Sequence, residues 1–116
     1  AHSVDHPEFY KISEKQQIEQ VQKSMDWIGE KINPEIKTFS FPFTDSGVSS
    51  SVLKKIKEEN ICDITFGTAG VKHDALDFHF QRYPMEQNGN FIHNLKGEYV
   101  YFEMRRLIGK ARVKHI

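Results

Sequence analysis

Cysteine is nearly absent from this sequence, since Cys62 is the only one among 116 residues. A disulfide within the chain is therefore excluded, and the cysteine count carries no information about redox compartment. No apolar run reaches the about 18 residues of a membrane-spanning helix, and no signal-peptide pattern is present. The sequence also lacks an excess of either charge, because 16 basic side chains balance 16 acidic ones. Net charge thus gives no reason to expect nucleic acid or an anionic membrane as the main partner.

The apolar residues that are present include nine phenylalanines, which bury large areas per residue. Mean hydropathy is −0.59, but a hydrophobic content of 38% exceeds that of disordered chains. A length of 116 residues fits one domain with a single modest core.

The chain alternates predicted helices and strands. Ser13 and Gln16 form a capping-box signature, and apolar residues at three- and four-residue steps predict a helix ending at Asn33-Pro34. Trp27, on this helix, is predicted to pack against the rest of the fold or a partner. Further helices are predicted over 49–60 and 96–108, the latter capped by Gly109, and strands over 37–41, 62–66, 76–80 and 111–116. This alternation predicts a parallel α/β arrangement.

His2 and His6 are the pair most suggestive of metal chemistry, because they stand four positions apart in Ala-His-Ser-Val-Asp-His-Pro. A helical turn here would point both imidazoles the same way. Two neutral imidazoles facing one point form half of a zinc- or cobalt-type site, which a carboxylate from elsewhere would complete. Six histidines in 116 residues also fall four apart by chance, so the spacing alone does not establish a metal site.

Several segments, read in order, resemble one family of enzymes. They are His-Ser-x-x-His at 2–6, Phe-Ser-Phe-Pro-Phe-Thr at 39–44, Ile-Thr-Phe-Gly-Thr-Ala-Gly at 64–70 and Gln-Arg-Tyr-Pro-Met-Glu at 81–86. They look like the second motif, the third motif and the late strands of a divergent branch of the polysaccharide deacetylases (carbohydrate esterase family four). The resemblance covers most of the chain but corresponds to the C-terminal half of a family domain.

The resemblance implies both a fold and a chemistry. Residues 1–116 would be a single partial domain, the C-terminal half of a distorted (β/α) barrel with alternating parallel strands and helices. The implied reaction is metal-dependent hydrolysis of N-acetyl or O-acetyl groups on a polysaccharide or amino sugar. His2 and His6 would be ligands to a divalent metal, most simply zinc, with cobalt and nickel as alternatives. Pro42 and Phe43 would line the substrate groove.

Three departures from the family pattern matter. The Thr-Phe-Asp-Asp-Gly motif, which supplies the base and a third metal ligand, would precede Ala1. Ser40 stands where the third motif has arginine; Arg82 is the candidate replacement, and a surface salt bridge is its ordinary alternative role. The late Leu-x-His has imperfect counterparts in Ile92-His93 and Lys114-His115. We take His93 as the candidate general acid, against the alternative of a solvated loop histidine. The isolated chain is accordingly expected to be inactive, and a non-catalytic carbohydrate-binding or assembly module is the alternative function.

The implied partner is a carbohydrate polymer or oligosaccharide, with no nucleic acid and no membrane span. Strand edges left open in half a barrel predict self-association. The resemblance suggests a bacterial cell-envelope or secreted location and is compatible with a cytoplasmic one.

A second polar group comprises His73, Asp74, Asp77 and His79. Apolar–polar alternation over 76–80 places Asp77 and His79 on one solvent-facing side, so we expect a solvated face, with a separate metal site as the alternative. Cys62 is predicted to be a buried, inert thiol in a strand.

Overall fold

The chain folds as a mixed α/β protein with parallel strands. A computed structural model describes residues 1–70, 72–83, 90–107 and 112–116. The helices are α1 (Glu14–Lys31), α2 (Ser50–Glu58) and α3 (Phe91–Leu107), with a 3-10 turn at Phe9–Lys11. The strands are β1 (Thr38–Ser40), β2 (Ile64–Gly67), β3 (His73–Asp74), β4 (His79–Gln81) and β5 (Arg112–Val113).

Helix α1 begins as the sequence predicted. Gln16 N–H donates to Ser13 Oγ at 3.2 Å, and Ser13 N–H donates to Gln16 Oε1 at 2.9 Å, which completes the capping box. The helix buries Val21 and Met25 but leaves Trp27 59% exposed. Trp27 therefore does not pack into the core of this chain.

Helix α2 also begins at a serine. Val52 N–H donates to Ser49 Oγ at 3.2 Å, so one of the orphan donors of the first turn is satisfied. Val52, Leu53 and Ile56 are buried, as their spacing predicted. The helix thus connects β1 to β2 and packs its apolar face on the core.

The three-stranded sheet has the order β1-β2-β4, and both pairings are parallel. Ala1 adds to its outer edge: its nitrogen donates to Thr38 O at 3.0 Å, and Ser40 N–H donates to Ala1 O at 2.8 Å. This is the hydrogen-bond pattern of a parallel ladder. A separate two-stranded parallel sheet pairs β3 with β5. The residues that follow Ala1 therefore lie at the same end of the main sheet as the carboxyl ends of β1 and β2.

An aromatic cluster forms the centre of the core. Phe9, Phe39 and Phe41 are fully buried, with edge-to-face ring contacts at centroid distances of 5.0 to 6.1 Å. The predicted burial of Cys62 is confirmed, at 2% exposure. Burial raises the pKa of its thiol to about 12, which keeps it protonated and unreactive.

The region around β4 differs from the prediction. A bend and turn occupy 75–78, and the strand begins only at His79. The period-two pattern therefore does not continue from Leu76, and His79 points into the core at 1% exposure. The prediction that His79 faces solvent was wrong, whereas Asp77 is exposed.

The last helix also differs, because it starts at Phe91 rather than at Lys96. The predicted turn-rich connection falls partly, and the Gly109 cap wholly, outside the described residues. The predicted terminal strand is present over Arg112–Val113.

Candidate metal centres

His2 and His6 direct ring nitrogens at each other although neither lies in a helix. Their Nε2 atoms are 2.8 Å apart. His2 Nδ1 is 2.8 Å from Ser40 O, and because a carbonyl only accepts, Nδ1 carries the proton and donates it. The Nε2 of a neutral His2 is then left with a lone pair. The imidazoles converge as the spacing predicted, but an irregular loop rather than a helical turn brings them together.

Three residues in and around this pair have a strained, left-handed backbone conformation. Ser3, His6 and Phe43 have positive φ angles of 80°, 55° and 56°. The other two positive-φ non-glycine residues of the described chain are Asn33 and Asn60, a residue type that tolerates this conformation. Strained backbone at non-Asn residues is enriched at functional sites, so its position beside two exposed histidines favours a functional role for the pair.

The loop after β1 meets the histidine pair through Phe43. Its ring lies 4.7 Å from the His6 ring between centroids, nearly perpendicular, and the residue is 60% exposed. Pro42, predicted to line the same groove, is buried and offers no surface to a ligand. Arg82 Nη2 donates to Phe41 O at 2.8 Å. The Arg82 guanidinium therefore lies at the end of β1, beside the Ser40 position at which the resemblance expects arginine.

Of two other residues singled out from the sequence, Trp27 lies near the histidine pair and His93 does not contact it. A cavity of about 460 Å³ between the first residues and α1 is lined by both His2 and Trp27. His93 is exposed in the first turn of α3, where its backbone N–H donates to Asn90 Oδ1 at 3.0 Å. Nothing in the described part of the chain brings His93 to the histidine pair. Nor do the described residues supply a carboxylate that would make the pair a three-ligand group.

A second group of possible ligands is buried on the other side of the loop after β1. Asp45, Asp74, His79 and His115, hereafter the Asp45 cluster, offer four ligand atoms within 4.8 Å of one another and could hold a metal ion. His79 Nε2 is 2.8 Å from Asp45 Oδ2, and His115 Nε2 is 2.9 Å from Asp74 Oδ2 and 3.7 Å from Asp45 Oδ2. The four side chains are at most 6% exposed.

Gln81 holds the two carboxylates of the cluster together. Its Oε1 accepts from Ala69 N–H at 2.8 Å, which orients the amide. Its Nε2 then donates to Asp45 Oδ2 at 3.0 Å and to Asp74 Oδ2 at 2.8 Å. Gly67 allows this approach, because a methyl group at that position would collide with both the Asp45 carboxylate and the Gln81 amide.

Hydrogen bonding keeps Asp45 ionised in this buried position. Burial by itself would raise the pKa of the carboxyl group, because it removes water from the charged form. Hydrogen bonds from His79, Gln81 and Thr68 N–H outweigh that effect and hold the pKa of Asp45 well below its usual range. The cluster therefore presents at least one permanent negative charge to its centre.

The sequence did not predict this cluster. Asp74 and His79 were assigned to a solvated face, with a separate metal site as the alternative, His115 was only a secondary candidate for the late histidine, and Asp45 was not singled out. Local spacing links only Asp74 with His79, and no spacing links those two residues to Asp45 or His115. Another usable signal was the Thr-Asp-Ser-Gly turn at 44–47, which places an aspartate after a strand.

In comparisons with known proteins, the chain matches no family model, no curated protein and no solved structure. The resemblance to the polysaccharide deacetylases thus stays a sequence-based hypothesis. Within the described ranges, none of the three helices has the length and apolar character needed to cross a bilayer.

Proposed function

We propose that this chain contributes two metal ligands and part of a substrate groove to a metal-dependent deacetylase acting on a polysaccharide or amino sugar. The observation that carries the proposal is the 2.8 Å separation of the Nε2 atoms of His2 and His6. Parallel α/β folds collect their active sites at the carboxyl ends of the strands, which is where this pair lies. The proposed architecture is the C-terminal half of a distorted (β/α) barrel, with β1, β2 and β4 as consecutive barrel strands.

The donor set of the pair suits a divalent metal of the zinc type. The hydrogen bond from His2 Nδ1 to Ser40 O is of the kind that orients metal-bound histidines. It leaves a lone pair on Nε2 of His2, which accepts a hydrogen bond from His6 Nε2–H in the ion-free protein. Transfer of the His6 proton to its Nδ1 would free both Nε2 atoms to bind a metal. When bound, the metal polarises an acyl carbonyl and lowers the pKa of bound water. Two imidazoles and a carboxylate suit zinc, cobalt and nickel alike.

Other residues of the chain orient the substrate in this proposal. Phe43 offers an exposed ring beside His6 on which the apolar face of a sugar can stack. Among the described residues the Arg82 guanidinium donates to Phe41 O, and a guanidinium has five N–H donors with which to meet a carboxylate or a developing oxyanion as well. His93 stays the candidate proton donor. The base and the third ligand are those that the resemblance expects before Ala1.

Metal content and turnover together test the proposal. The protein carrying this sequence should lose one equivalent of bound zinc on His6→Ala, and hydrolysis of an acetylated chitin oligomer or xylan should fall at least 100-fold. His93→Ala is the matched control for metal content, because it removes an exposed imidazole that makes no described contact with the pair, and it should keep the full equivalent. Unchanged zinc content and unchanged hydrolysis in His6→Ala would show that the ligand assignment is wrong.

One observation favours the non-catalytic alternative, a carbohydrate-binding module. Exposed rings flank the histidine pair on two sides, Phe43 in contact with His6 and Trp27 in the cavity that it shares with His2. Trp27→Ala should weaken retention on immobilised chitin oligomers while leaving zinc content unchanged. Retention without hydrolysis in the full-length protein would favour the binding function over the deacetylase.

A further inference from the structure

The Asp45 cluster supports an inference that is independent of the proposed deacetylase. We propose that Asp45, Asp74, His79 and His115 bind a second divalent metal ion of the zinc type, in a buried site that fastens residues 112–116 to both sheets. The first ligand follows β1, the second ends β3, the third begins β4 and the fourth follows β5. One ion would therefore join three regions that are distant in the sequence, around residues 45, 74–79 and 115.

The two histidines of the cluster are anchored through their outer nitrogens. His79 Nδ1 lies 2.7 Å from Thr65 Oγ1, and His115 Nδ1 lies 3.1 Å from Val48 O. Each ring can donate its Nδ1 proton to an oxygen and turn Nε2 to the centre of the cluster. Histidines that bind metals are generally held in this way, with the outer N–H bonded to a carbonyl or another acceptor.

The two carboxylates are anchored in the same manner. Asp45 Oδ1 accepts from Thr68 N–H at 3.1 Å, and Asp74 Oδ1 accepts from Leu76 N–H at 3.0 Å. The Oδ2 atom of each carboxylate is turned inward, where it meets Gln81 Nε2 and an imidazole nitrogen. All four side chains thus use one polar atom for the scaffold and present the other to a common point.

His115 directs one ring nitrogen at both carboxylates of the cluster. Val48 O can only accept, so Nδ1 of His115 carries a proton. Its Nε2 faces Asp74 Oδ2 at 2.9 Å and Asp45 Oδ2 at 3.7 Å. In the neutral ring this Nε2 has a lone pair, and a lone pair buried against carboxylate oxygens is repelled. A proton shared between the ring and Asp74 removes this repulsion, as does a metal ion, and a divalent ion also balances both carboxylates.

The ligand separations are close to those of a metal site. Without an ion, His79 Nε2–H donates to Asp45 Oδ2 and the Thr65 hydroxyl donates to His79 Nδ1. With an ion, the imidazole proton moves to Nδ1 and is donated to Thr65 Oγ1, which frees Nε2 to bind the metal. Ligands at the usual zinc distances of about 2.0–2.2 Å are roughly 3.3 Å from one another in a tetrahedral site. The observed contacts of 2.8, 2.9 and 3.7 Å lie on either side of that value. Small side-chain adjustments would therefore open the site to an ion.

Titration with Zn²⁺ and with Co²⁺ tests the proposal. The chain with both His2→Ala and His6→Ala lacks the exposed pair and keeps the cluster intact, so it should retain one tightly bound equivalent. The Co²⁺ form of this variant should show the strong visible absorption of tetrahedral coordination. Adding Asp74→Asn, which keeps the size and removes the charge, should weaken Co²⁺ binding at least 100-fold and abolish that absorption.

Each outcome separates the two sites. Failure of the His2→Ala, His6→Ala chain to bind Zn²⁺ or Co²⁺ at micromolar concentration would overturn the buried site. It would leave the deacetylase proposal intact, provided that the wild-type chain binds one equivalent through the exposed pair. Loss of fold in the Asp74→Asn variant, seen by circular dichroism, leaves the measurement on the His2→Ala, His6→Ala chain decisive, because that chain keeps every residue of the cluster.

Discussion

Gly67→Ala should destabilise the protein by about 2–5 kcal/mol, because the added methyl group has no space. It would collide with the carboxylate of Asp45 and the amide of Gln81, and Asp45 cannot move without breaking bonds from His79 and Thr68 N–H. Overpacking of this kind costs about 1–3 kcal/mol, and one lost hydrogen bond to a charged group costs about 1.5–3 kcal/mol. Alanine in place of a strand glycine returns about 0.5–1 kcal/mol.

Urea unfolding followed by circular dichroism measures this change, and Gly29→Ala in α1 is the matched control. A Cβ at Gly29 meets nothing within 4 Å, so the same substitution there should stabilise the helix by about 0.5–1 kcal/mol. The two variants should therefore shift the midpoint in opposite directions. A Gly67→Ala protein as stable as the wild type would refute the conclusion that the Asp45 carboxylate is fixed against this strand.

Phe43→Gly should change the free energy of unfolding by less than about 1 kcal/mol, since relief of the positive φ offsets the lost ring contact; Phe41→Ala should cost about 3–5 kcal/mol. Equal losses in urea unfolding would contradict the strained, exposed role of Phe43. Cys62, with its pKa raised to about 12, should react with Ellman's reagent at pH 8 only after unfolding, and rapid native labelling would contradict its burial. The stability from this neutral thiol should be complete below the unfolded-state pKa of about 8.5 and decline as pH rises towards 12. Ser13→Ala should cost about 1 kcal/mol by removing the cap of α1, and an unchanged urea midpoint would show that the capping box is not stabilising.

The helices could be predicted from the sequence because their signals are local. Ser13 and Gln16 are three residues apart, and the burial of Val52, Leu53 and Ile56 follows from their spacing on one helix. The parallel arrangement was equally accessible, since strands that alternate with helices leave few other topologies. The start of β4 could not be predicted in this way. The bend before His79 changes which residues of the strand face the core, and the alternation of apolar and polar residues does not reveal that change.

One candidate site could be predicted from local spacing in the sequence, and the other could not. His2 and His6 are close in sequence, so their spacing found them, although their geometry depends on left-handed backbone at Ser3 and His6 rather than on a helix. The Asp45 cluster depends on pairing between strands that are far apart in the chain. Only the fold brings Asp45 to His79 and His115 to Asp74, and no pattern within a short window encodes those contacts.

The long sequence separation within the Asp45 cluster has a kinetic consequence. Contacts between residues 45 and 79, and between 74 and 115, close large loops, so they should form after the main folding barrier. Interactions that are absent from the transition state slow unfolding and leave the rate of folding almost unchanged. An ion at this centre would accordingly slow unfolding. It would lengthen the lifetime of the native state and leave the rate of folding almost unchanged.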